Sequence, residues 1–271
     1  MRPATLLDQP RAIGSAMVSS KARAGQPCLD GLYQAGALKV VFPRNHHTVE
    51  SILVNTAGGI TGGDRFDITA TAGAGSHLTL ATQAAERAYR AQDGQTGQLH
   101  TQLTVEDDAQ LHWLPQETIL FEGSALSRTL NVDIAPTGRF LMVEPVLFGR
   151  RAMGEDLHSA SFRDRVDIRM DGALVYRDGV ALDGDIAAAL DRPAIGAGAR
   201  AMANVVWVAP EAEGALPIVR DLIGPIGGAS LLQPNLLAAR LLAADGFDLR
   251  QRLVPLLDHL TKNTLPISWR L

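Results

Sequence analysis

The chain has 271 residues, 46% of them hydrophobic, with 25 basic and 29 acidic side chains and a net charge of −4. That length suits one large domain, and that apolar content supports a packed core rather than a disordered chain. The arginines are scattered rather than clustered into a nucleic-acid footprint. No stretch approaches the roughly 20 apolar residues of a membrane span, and Met1 to Ser20 lacks the uninterrupted apolar core of a secretory signal, so a cytoplasmic protein is expected.

After a loose start over residues 1–10, Ala12 to Ser20 reads as a strand, and residues 36–42 read as another that stops at Pro43. Residues 49–55 lead into a glycine-rich turn. Turn signals then recur at short intervals between strand-like runs over Phe66–Ala72, His77–Thr82, Gln98–Val105, Gln110–Leu114, Thr118–Phe121, Leu126–Ile134 and Arg139–Val146, with period-two alternation clearest over Gln98–Val105 and Leu130–Ile134. Many short strands at near-regular spacing predict a mainly β architecture. Phe162–Met170 and Ala173–Arg177 flank Asp171-Gly172, a favoured two-residue hairpin turn. Residues 183–199 read as a loop with one helical turn, and Met202–Val208 as a strand. Ala212–Ile223 is weakly helical and interrupted by Pro217, while Leu236–Ala244 fits either a strand or a helix. Phe247–Leu260 is the strongest helix, with Pro255 expected to kink or divide it. It is also, with residues 229–244, the most apolar late segment, suited either to docking a partner or to completing the core. No internal repeat and no linker is visible, so residues 1–271 are expected to form a single domain.

Asn55-Thr56-Ala57-Gly58-Gly59-Ile60-Thr61-Gly62-Gly63-Asp64 places four glycines and an acid between positions 58 and 64. Gly58 and Gly63 have the separation of a phosphate-binding P-loop, but Asp64 stands where its lysine belongs and would repel phosphate. The dinucleotide fingerprint needs G-x-G-x-x-G opening a helix, whereas strand-like alternation follows here. A tight turn that fixes Asp64 remains.

Other chemistry is sparse. Cys28 is the only cysteine, so neither an internal disulfide nor a multi-cysteine metal site is available; it reads as a small buried thiol in a Gly/Pro-flanked loop. His46-His47 is the one histidine cluster, but adjacent strand residues face opposite ways. No H-E-x-x-H and no G-x-S-x-G is present. Asp64, Glu86, Glu117, Glu122, Glu144 and Glu155 lie in or beside apolar segments. Burying an unpaired carboxylate is costly, so each should pair with an arginine or line a wet path. Arg87, Arg90, Arg150 and Arg151 are the available partners.

Four blocks together resemble the urease accessory protein UreD (UreH) family. The glycine loop with Gly58, Gly59, Gly62, Gly63 and Asp64 is similar to that family's hallmark loop. Thr82-Gln83-Ala84 through Tyr89-Arg90 resembles its T-Q-A…Y-R segment. Trp113, Pro115, Glu117, Ile119 and Phe121 resemble its W-x-P-x-E-x-I-x-F block, and Gly149-Arg150-Arg151-Ala152-Met153-Gly154-Glu155 its G-R-x-A-x-G-E motif. The C-terminal Pro266-Ile267-Ser268-Trp269 departs from the family's P-R-x-W-like ending.

The resemblance implies a β-rich fold of stacked, helically wound strands, β-helix- or sandwich-like, with a few helices including one near the C-terminus. It implies a protein without turnover of its own that binds UreF, through it the GTPase UreG, and apo-urease, in a dimer of heteromers. No cofactor is held permanently; nickel passes in transit, along a water-filled path for which Asp64, Glu117 and Glu155 are the candidate carboxylates. Oxygen ligands suit transit, because clustered thiolates or imidazoles would hold a late divalent metal too tightly. The alternative from the residues alone is a metal-dependent hydrolase on a β-scaffold, using Asp64 with His46, His47 or His100.

Overall fold

The computed structural model describes residues 10–45 and 47–270. In chain order its strands are β1 (Ile13–Arg23), β2 (Gln26–Gly36), β3 (Leu38–Val41), β4 (Val49–Asn55), β5 (Arg65–Ala72) and β6 (His77–Thr82). Then come β7 (Glu86–Ala88), β8 (Gly97–Val105), β9 (Gln110–Leu114), β10 (Thr118–Leu120), β11 (Ala125–Ile134) and β12 (Arg139–Phe148). The hairpin β13 (Ala160–Met170) and β14 (Ala173–Gly184) precedes helix α1 (Ile186–Asp191), β15 (Ala201–Val208) and α2 (Ala212–Ile223). The chain closes with β16 (Gly227–Gln233), β17 (Leu236–Ala243) and α3 (Gly246–Leu260).

The strands wind. β4, β6, β9 and β12 lie parallel in one sheet, and β5, β8, β11 and β13 lie parallel in the other. The chain crosses from the first sheet to the second and back in each coil, the helically wound, mainly β arrangement that the family resemblance implies. The return turns are short, residues 73–76, 106–109 and 135–138, and each closes with the same hydrogen bond: Ser76, Ala109 and Gly138 N–H donate to the carbonyls of Gly73, Glu106 and Ala135. Successive coils therefore repeat in structure although their sequences show no repeat.

Alternation decides what lies between the sheets. Phe66, Leu80, Leu103, Leu111, Leu130 and Phe140 are at most 1% exposed and fill the main core. The outer face of the larger sheet is covered by α2, α3 and the C-terminal turn, which form a second core around Leu141, Val205, Leu249, Leu253, Leu256 and Trp269. The late apolar segments thus complete the core with these side chains. Leu236–Ala243 resolves to a strand because β15 pairs along its whole length.

Several expectations need correction. α2 and α3 run unbroken through Pro217 and Pro255. Pro255 and Gln251 lie on the exposed side of α3, where the freed carbonyl reaches water and the leucines opposite hold the helix. The predicted helical turn is α1, N-capped by Asp185, whose Oδ1 accepts from Ala188 N–H at 2.9 Å. β2 was hidden by Pro27 and Gly31; it is an edge strand, where a proline's missing donor costs little. It carries Cys28, half-exposed rather than buried, and not in a loop. At the β13–β14 turn, Asp171 and Gly172 both take positive φ, 50° and 75°, as the hairpin pattern requires.

Candidate functional site

Each coil passes from the larger to the smaller sheet at one rim, through residues 56–64, 83–96, 115–124 and 149–159. The four motif blocks lie in or beside these connections, so the winding stacks them on one another.

The glycine loop sits first. Asp64 is 4% exposed and closes it: Oδ2 accepts from Thr61 N–H and Oδ1 from Ala12 N–H, both at 2.8 Å. Gly63 takes φ +85° to make that bend. Gly59 has no room for a side chain, because a Cβ would fall on the Tyr89 ring and within 2.7 Å of the Arg87 carbonyl oxygen. The second block is stitched directly to the loop: Ile60 N–H donates to Arg87 O at 2.7 Å, and Tyr89 N–H to Ile60 O at 2.8 Å. Thr61 Oγ1 donates to Arg90 O at 2.7 Å. β7 pairs in parallel with β10, and β10 with β12, which brings in the third and fourth blocks. Gly149 N–H donates to Leu120 O at 3.0 Å. Gly154, at φ +71°, ends the short turn after Arg150.

Behind this rim, between the sheets, lies a cavity of about 180 Å³. Gly58, Gln83, Ala84, Glu86, Pro115 and Gln116 surround its mouth end, and Phe66, Ile68 and Leu99 form an apolar wall. Its charged end is Arg128, Glu144 and Thr118, with Trp113 beside them. Arg128 Nε and Nη2 donate to Asp164 Oδ1 and Oδ2 at 3.0 and 2.5 Å, and Nη1 donates to Thr118 Oγ1 at 3.2 Å. Glu144 Oε1 accepts from Trp113 Nε1 at 3.2 Å. Its Oε2 lies 3.3 Å from Arg128 Nη2 but receives no aligned hydrogen bond. Burial pushes Glu144 up to about 7, against the pull of Arg128. Burial also raises Glu86, although Asn55 Nδ2 donates to both its oxygens at 3.2 and 3.1 Å.

The three carboxylates expected on a nickel path each have their own partners, and none lines this cavity. Asp64 holds backbone donors. Glu117, also buried, accepts from Arg250 Nη1 at 3.0 and 3.3 Å. Glu155 accepts from Arg150 Nε at 3.1 Å and from Glu122 N–H at 3.1 Å, and the arginine holds its carboxyl below the usual range. The carboxylates that do face the cavity are Glu86 and Glu144. Both belonged to the suspect set, whereas Arg128 escaped it. The available signal was a charge at an inward position of a period-two run, Arg128 between Leu126 and Leu130, with Asp164 between Phe162 and Val166 on the neighbouring strand.

His46 lies outside the described residues. His100 points out of the smaller sheet, 2.7 Å from Thr129 Oγ1 through Nδ1, and His47 lies beside Asn263 to Ile267, so neither joins Asp64. His77 and His112, on adjacent strands, meet edge to face at 4.7 Å. Burial lowers His77 to about 4 and His112 well below its usual value, so both are neutral. Among the described residues, no group of three or more His, Cys, Asp or Glu is placed to hold a metal ion, and no helix is long and apolar enough to cross a membrane.

Residues 12–269 match the family described as UreD urease accessory protein. A urease accessory protein UreD of Roseobacter denitrificans is 60% identical over 271 residues, covering 100% of this chain and 99% of the relative. Its namesake from a Ruegeria species is 54% identical over 97% of this chain and 91% of its own length. That from Sinorhizobium medicae is 43% identical, covering 100% of both chains.

Proposed function

The chain belongs to the UreD urease accessory protein family, a family of urease maturation, and from that premise we propose that it acts as a scaffold without turnover of its own. It binds UreF, through UreF the GTPase UreG, and apo-urease, in the cytoplasm and in a doubled complex, and it assists nickel delivery. The observation that carries this reading is the convergence of all four family blocks on one rim, where the first three line one internal cavity and the fourth stacks on the third.

Glu86 and Glu144 suit a passing divalent metal. Both are oxygen donors, which bind a late metal weakly enough to release it. Burial disfavours the charged form of both, and a divalent cation entering the cavity would offset that cost. Asp64, Glu117 and Glu155 enter the proposal as the groups that fix the passage's frame: the loop, the α3 contact and the outer turn.

Coexpression of the chain with apo-urease, UreF and UreG tests the proposal. The expected result is a recoverable complex and urease activity that depends on this chain. Equal activity when the chain is omitted would sink the reading.

A further inference from the structure

The outward side of the rim carries chemistry that the cavity does not use. β7, β10 and β12 run parallel there with Arg87, Ile119 and Leu147 in register. One step along, Tyr89 and Phe121 meet edge to face with centroids 4.9 Å apart, and the Arg150 guanidinium lies over the Phe121 ring at 4.3 Å. The Arg90 side chain packs over Gly123. Arg151 and Met153 follow in a turn with no buried residue, Met153 being 75% exposed. Arg150 pairs with Glu155. Among the described residues, Arg87, Arg90 and Arg151 make neither an ion pair nor a side-chain hydrogen bond.

This is an unusual surface for this chain. The molecule as a whole carries −4, yet Arg87, Arg90, Arg150 and Arg151 gather here, and of the nearby carboxylates Glu155 pairs with Arg150, Glu122 accepts from the backbone of His158 and Ser159, and Glu86 turns to Asn55 at the cavity. Arginine, tyrosine, phenylalanine and methionine are the types enriched at the centre of protein interfaces. Arginine also sheds its weak hydration readily and pairs carboxylates in a planar fork. The aromatic pair offers an edge-to-face ridge, not the open ring faces on which nucleic-acid bases stack, and the net charge opposes a polyanion.

We propose that Arg87, Tyr89, Arg90, Phe121, Arg150 and Arg151 form a docking surface for an acidic protein partner, whose carboxylates pair with the arginines around an apolar contact to the aromatic ridge. Because Arg87 and Glu86 border the cavity mouth, a partner seated here lies next to it. The inference takes its partner from the maturation assembly and rests on the proposed function in that respect alone.

The test uses the full chain, wild type and Arg87→Glu/Arg90→Glu/Arg151→Glu, with purified apo-urease and a purified UreF–UreG mixture as separate probes. The wild type should capture one of them, with affinity falling as salt rises. The triple change should weaken that capture by at least about tenfold and leave the melting temperature unmoved, because no ion pair is lost. Should it melt lower, Arg151→Glu alone, in the exposed turn, carries the same test. Arg163→Glu, an exposed arginine of the smaller sheet, should bind like wild type. Equal capture by the triple variant overturns the docking surface and leaves the maturation role standing. Failure of the wild type to capture either probe overturns both. Preferential retention of the wild type by RNA or by anionic phospholipid vesicles also overturns the protein-partner assignment.

Discussion

Arg128 and Glu144 face each other across the gap between the sheets, 3.3 Å apart with side chains only 5% and 4% exposed, and yet the arginine is committed elsewhere. A bidentate contact to Asp164 and a bond to Thr118 take three of its five N–H donors, and Glu144 keeps one oxygen without an aligned partner. The two residues should therefore respond differently to substitution. Arg128→Met leaves two buried carboxyls without their cation and should cost about 3–5 kcal/mol. Glu144→Gln keeps an acceptor for Trp113 and should change stability by less than about 1 kcal/mol. Urea unfolding midpoints of the two variants check the asymmetry.

Stability should depend on pH from two sides. Glu144 is raised from 4.5 to about 7, so its contribution is full below 4.5 and is lost as pH rises through about 7. His77 is depressed from 6.5 to about 4, and burial also holds His112 well below its usual value, so their contribution is full above 6.5 and is lost as pH falls, for His77 through about 4. Glu144→Gln should flatten the decline on the neutral-to-alkaline side. His77→Gln should flatten the acid side and leave the other unchanged. Unfolding midpoints at pH 5, 6, 7 and 8 separate the two.

The C-terminus is tied to the third family block. Trp269, 2% exposed, donates through Nε1 to Leu114 O at 2.9 Å. Gln116 Nε2 donates to Ser268 O at 2.8 Å, and Arg250 Nη2 to Trp269 O at 3.0 Å. Trp269→Ala should cost about 3–5 kcal/mol, measured as a lowered denaturation midpoint. Truncation after Gly246 removes α3 and uncovers the second core, so an aggregated product is expected by size-exclusion chromatography instead of a folded β-core.

Gly59→Ala should strain the loop and push the Tyr89 ring away, at a cost of about 1–3 kcal/mol. Gly58→Ala meets no atom within 4 Å and suffers only its φ of +80°, so it should be the milder change. Thermal melts of the pair distinguish crowding from backbone strain.

Much of the fold was legible because inward positions alternate along β5, β11 and most of β8. β2 was not, since Pro27 and Gly31 erase its pattern and only pairing with β1 holds it extended. The continuity of α2 and α3 was also invisible, since whether a proline breaks a helix depends on which side meets water. At the candidate site, the family blocks named the rim, but sequence could not say that Asp64 turns its oxygens on the backbone of Ala12 and Thr61. Nor could it bring Arg128, Asp164 and Glu144 together from three separate strands.

The central claim is that this chain helps nickel reach urease, with Glu86 and Glu144 facing the route. Elemental analysis of urease purified from cells lacking the chain, carrying it, or carrying Glu86→Gln/Glu144→Gln tests it most directly. The account predicts intact but nickel-poor enzyme without the chain, full loading with it, and reduced loading with the double variant at equal abundance. Nickel content that is the same in all three preparations would contradict it.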